Sequence, residues 1–169
     1  MNSILKKVAL AAALATASLS AHAAEAEIAV WASVDASLAL LKADGTALDD
    51  SVRLVHNPVS GRLGDWTDRV RIYSNGTDKD VEVRLGADPV LLREGGGGTA
   101  VPLAVSLNGE ALTTAPRTYE ASKIFDGALD GASIPMELRI AHGGTGTITV
   151  DGKYEGIVTI AMVHAAGTP

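Results

Sequence analysis

No cysteine occurs among the 169 residues. That excludes disulfides, thiolate nucleophiles and every zinc site built on cysteine. Aromatic residues are scarce, with 1 Phe, 2 Trp and 3 Tyr, so stacking platforms for bases or sugars have little to draw on. Basic residues are outnumbered, 14 against 20 acidic, giving a net charge of −6. A general nucleic-acid binder needs clustered Lys and Arg for phosphate contacts, and this balance argues against one. A membrane-length apolar run is also missing. The nearest candidate, Val8–Leu19, is Ala-rich and falls short of the roughly 20 residues needed to cross a bilayer.

That short run has a different reading. Lys6 and Lys7 precede it, and Ala21-His22-Ala23 follows with small residues at the two positions a signal peptidase reads. Residues 1–23 are therefore expected to be a secretory signal peptide, cleaved between Ala23 and Ala24. The 146 residues that remain would carry 12 basic and 20 acidic side chains. They must hold together by packing alone, and 146 residues can bury a sufficient core.

What is abundant is alternation. Hydrophobic residues make up 47% and there are 18 Gly. Period-2 patterns bounded by Gly, Pro, Asn and Asp recur at Val52–His56, Arg69–Tyr73, Val81–Leu85, Val101–Leu107 and Ile134–Ile140, and Lys153–Val163 forms the longest run. Asn108-Gly109 is a strong hairpin signal. Short helical turns are expected at Ala36–Leu41 and Tyr119–Phe125. Many strands with short turns predict an all-β chain, an antiparallel sandwich of immunoglobulin-like type. Glu94–Thr99 is too short for a linker between domains, so it reads as a flexible loop in a single domain.

Chemistry-bearing motifs are sparse. His56, His142 and His164 are far apart and form no metal-ligating pair. Asp44, Asp49 and Asp50 lack the alternate spacing and closing Glu of a calcium loop. Gly95–Gly98 and Gly143–Gly146 lack the Gly-Lys-Ser/Thr ending of a phosphate loop. The expectation is no enzyme, no metal and no cofactor.

The segment with the clearest signal is Ala24–Asp35. Ala26, Ile28, Val30, Ala32 and Val34 alternate with more polar positions, beginning almost at the expected cleavage site. Chain ends are often frayed. This one reads either as the first strand of the chain's own sandwich or as a donor that adds to another subunit's sheet edge.

Several segments in order resemble the CS1/CFA/I-type fimbrial major subunits of the alternate chaperone–usher pathway. They are Ala32–Asp35, Leu40–Gly45, Val52–Pro58, Val81–Leu85 with Asp88-Pro89, and Tyr154–Met162. The resemblance spans nearly all of the chain after residue 23. Ala36, where the family tends to Pro, is a departure, as are the two glycine-rich loops. The resemblance implies an incomplete immunoglobulin-like fold over residues 37–169, lacking one strand. A neighbour's residues 24–36 would complete it by donor-strand exchange. It implies that Ala26, Ile28, Val30, Ala32 and Val34 are the donor residues. It also implies that the last strand, with Ile157, Thr159, Ile160, Met162 and Val163, borders the groove and meets the chaperone. Implied partners are further copies in a head-to-tail filament, a periplasmic chaperone and an outer-membrane usher, and at the filament's ends a tip adhesin and a host receptor. The implied location is a surface fimbrium that supports cell adhesion. A tip adhesin or a secreted carbohydrate-binding sandwich is the alternative reading.

Overall fold

A computed structural model of the chain describes residues 38–166. The expected signal segment 1–23 and the leading segment 24–36 lie outside the described residues.

The described chain is all-β apart from one helical turn. In order the elements are β1 (Leu38–Lys42), β2 (His56–Asn57), β3 (Arg62–Leu63), β4 (Trp66–Ser74), β5 (Val81–Leu85), β6 (Val90–Arg93), β7 (Val101–Leu107), β8 (Glu110–Leu112), β9 (Arg117–Tyr119), α1 (Ala121–Ile124), β10 (Met136–His142), β11 (Tyr154–Glu155) and β12 (Ile160–His164). The larger of the two main sheets runs β1-β4-β10-β7-β6-β11, with β8 also on β7, the smaller runs β12-β5-β9, and β2-β3 form a separate two-stranded sheet. Their ladders are antiparallel.

Alternation explains how the two sheets meet. In β4 the inward residues Val70 and Ile72 are fully buried, as are Val81 and Val83 in β5 and Met136 in β10. These side chains, with Val105, Leu107, Leu138 and Tyr119, form one core between the sheets. Burial of each large aliphatic side chain contributes roughly 1.5–3 kcal/mol. The Tyr119 hydroxyl is drawn into this core and donates to the Leu107 carbonyl at 3.0 Å. Burial pushes its pKa up to about 12. Asn108 and Gly109 both have positive φ, 53° and 80°, which is what a two-residue hairpin turn between β7 and β8 requires.

Three expectations need correction. The Ala36–Leu41 stretch is not helical where described: Leu38–Lys42 pairs with β4 along its length, and Leu38 and Leu40 pack against the core. The run from Lys153 to Val163 is two strands rather than one, because β11 pairs with β6 whereas β12 pairs with β5 in the other sheet. The strand expected at Val52–His56 is reduced to His56–Asn57, which pairs only with β3. Val52–Val55 has the alternation of a strand and no ladder partner among the described residues. The turn expected near Tyr119–Phe125 is present as α1, held at its start by the Ala121 N–H donating to Asp80 Oδ1 at 2.8 Å.

Candidate functional site

Val52–Val55, without a ladder partner among the described residues, borders a wide cleft of about 1310 Å³. One bank is the segment 48–56. The other is 150–158 with Ile160. The floor is apolar, formed by Trp66 of β4, Leu138 and Ile140 of β10, Leu91 of β6 and Leu103 of β7. The volume exceeds the roughly 300–1,000 Å³ of a typical small-molecule pocket.

Both banks share one construction. Leu54 turns inward and packs against the core, while its neighbour Val55 is 68% exposed. On the other lining segment Val158 packs inward and its neighbour Ile157 is 82% exposed. Among the described residues, Val52–Val55 and Ile157–Val158 donate no backbone hydrogen bond. A strand edge in this state is a template for another strand, and an apolar cleft open to water is an association site or an aggregation hazard.

The banks are fixed from behind. The Gly64 N–H donates to the Val55 carbonyl at 2.7 Å, tying the first bank to the β2–β3 hairpin. That hairpin is pinned to the end of β10. Arg62 Nη2 donates to the carbonyls of His142 at 3.2 Å and Gly144 at 2.8 Å, and the Leu63 N–H donates to His142 Nδ1 at 3.2 Å. Burial, and then the Arg62 charge, hold the His142 imidazole below its ordinary pKa. The second bank carries Lys153, which pairs with Glu155 and, at 3.6 Å, with Glu94; the Glu155 hydrogen bond raises its pKa.

Of the residues expected to border a groove, Ile157 and Ile160 line this cleft, and Thr159, Met162 and Val163 do not. Met162 faces Val83 across the β5–β12 ladder and packs against the core, and the Thr159 carbonyl accepts from the Gly86 N–H at 2.9 Å. The donor residues Ala26, Ile28, Val30, Ala32 and Val34, and the Ala23–Ala24 cleavage pair, lie outside the described residues. Sequence reading missed Trp66, Leu138 and Ile140 of the floor and Leu48–Val55 as a bank. The in–out pattern around Leu54 was the available signal.

The other candidates are dispersed. His56 lies on the first bank, His142 is buried behind it, and His164 Nε2 stands 3.3 Å from Ser74 Oγ. Asp44 accepts from the Thr46 N–H at 2.9 Å and hydroxyl at 2.6 Å, which closes a turn and holds its carboxyl below the usual range. Asp49 pairs with Lys42 at 2.7 Å. Among the described residues no group of three His, Asp or Glu side chains is placed to hold a metal ion.

An antiparallel β fold of two main sheets with an open apolar cleft defines the class as an incomplete β-sandwich. Comparison with known proteins gives the family. Residues 24–163 match the family described as CS1 type fimbrial major subunit. The B subunit of CFA/I fimbriae from Escherichia coli is 34% identical over 163 residues, covering 93% of this chain and 96% of that protein. The A subunit of CS1 fimbriae from Escherichia coli is 34% identical over 168 residues, covering 95% and 98%. The CooA pilin subunit from enterotoxigenic Escherichia coli has a similar structure, with a TM-score of 0.69 and 28% identity over 78% of this chain and 90% of that one. The chain belongs to the CS1 type fimbrial major subunit family. It is thus a structural subunit of a pilus shaft, located in a surface fimbrium, with the incomplete immunoglobulin-like sandwich expected of such a protein.

Proposed function

We propose that the cleft is the acceptor groove of donor-strand exchange, and that residues 24–36 of the next subunit fill it. The observation that carries this reading is the apolar cleft lined by two segments, Val52–Val55 and Ile157–Val158, whose N–H groups donate to no backbone carbonyl among the described residues. The donor matches the first lining segment in length. Ala26–Val34 and Leu48–His56 are nine residues each, about 27 Å when extended. Ile28, Val30 and Val34 would each contribute roughly 1.5–3 kcal/mol on burial, and each ladder hydrogen bond about 0.5–1.5 kcal/mol. Each subunit gives a strand at one end and receives one in its cleft. Head-to-tail insertion of this kind does not close on itself, so the product is an open filament.

The same groove needs a cover before assembly, because an apolar edge left open aggregates. In this reading residues 1–23 direct export and are removed after Ala23. A periplasmic chaperone then lends a strand to the groove, and an outer-membrane usher exchanges it for the next subunit's segment. The test is Val30→Asp, which places a charge at the centre of the donor's apolar face. Cells producing it with chaperone and usher should retain the chaperone complex and display no fibres by electron microscopy. Abundant normal fibres would overturn the proposal.

A further inference from the structure

The donor segment has a second face. Ala29, Trp31 and Ser33 alternate with Ile28, Val30, Ala32 and Val34, so a strand that buries the latter turns Trp31 outward. An outward indole in the middle of an inserted strand offers a large apolar surface to its neighbours on the same face.

The banks hold the partners. Nine large hydrophobic residues are exposed among the described residues, and Val52, Val55, Val150 and Ile157 of them line the cleft. Val55 and Ile157 lie on the two lining segments, each next to a residue that packs into the core. A strand inserted with Val30 level with Leu54 and Val158 would bury that row and set Val55, Trp31 and Ile157 in one row on the outer face.

We propose that Trp31 of the incoming subunit closes the outer face of the cleft by packing between Val55 and Ile157 of the receiving subunit. This rests on the groove reading above and adds to it a second, solvent-side contact. Side chains directly opposite on neighbouring strands lie about 4.5–5.5 Å apart, and aromatic residues beside β-branched ones are among the stabilising cross-strand pairs. Val55 and Ile157 are both β-branched. Ala29 and Ser33, the small neighbours of Trp31 on the same face, leave room for the ring to lie flat over either bank. The contact sits where the floor cannot reach and shields the new ladder from water, so its effect falls on the rate at which joined subunits separate.

The experiment uses assembled filaments. In a Trp66→Phe background Trp31 is the remaining tryptophan. Its emission in filaments should lie to shorter wavelength, and its quenching by acrylamide should be several-fold weaker, than in the urea-dissociated chain. In the otherwise native chain, Trp31→Ala filaments should dissociate in denaturant roughly tenfold faster and Trp31→Phe filaments within about threefold of the parent. Filaments with a water-exposed Trp31 and unchanged dissociation of Trp31→Ala would overturn the outer contact while leaving the groove reading intact. Normal filaments from Val30→Asp would overturn both.

Discussion

Gly156 lies against the main chain of Val90: a Cβ at position 156 would collide with the Val90 carbonyl oxygen and stand 3.0 Å from Leu91 Cδ2. At this point the chain has just left its two-residue ladder with β6 and crosses to the other sheet to pair with β5. The crossing is what turns the end of the chain into a bank instead of a continuous strand. A side chain here has to push Ile157 and Val158 away from β6 and change the width of the cleft.

Gly156→Ala is therefore expected to cost about 1–3 kcal/mol, the usual cost of forcing an added methyl into a packed site. It should lower the urea midpoint for unfolding. Gly146→Ala is the control, since nothing lies within 4 Å of a Cβ there, and its midpoint should stay close to the parent.

His142 makes stability depend on acid. Its folded-state pKa is depressed, by burial first and by Arg62 second, whereas the unfolded imidazole titrates near 6.5. The unfolded chain thus binds the proton more readily. This contribution to stability is complete above about pH 6.5 and is lost as pH falls from there toward the folded value. Protonation also removes the acceptor that Nδ1 offers to the Leu63 N–H, releasing the hairpin that holds the first bank. The drop in urea midpoint between pH 7.5 and pH 5 should be smaller in His142→Gln than in the parent. An equal drop in the two would contradict this role.

The strands that pair locally or alternate cleanly could be read from the sequence. Val81–Leu85 and Val101–Leu107 have the expected bounds, and Asn108-Gly109 makes the expected hairpin. Leu38–Lys42 could not, because Leu, Ala and Lys favour helices in isolation and only the long-range ladder with β4 decides the matter. Tyr154–His164 could not, because alternation does not reveal that a run changes sheets at a glycine. The cleft was legible only in halves. The pattern around Leu54 and Ile157 gives inward and outward faces, but Trp66, Leu138 and Ile140 reach the floor through pairings that span much of the chain.

The most direct test of the account is hydrogen exchange measured by mass spectrometry on intact filaments. Peptides covering Ile28–Val34, Val52–Val55 and Ile157–Val158 should all exchange slowly, as central strands do, because each would sit in one continuous ladder. Rapid exchange of Val52–Val55 and Ile157–Val158 in well-formed filaments would contradict it, for their N–H groups would then have gained no ladder partner on assembly.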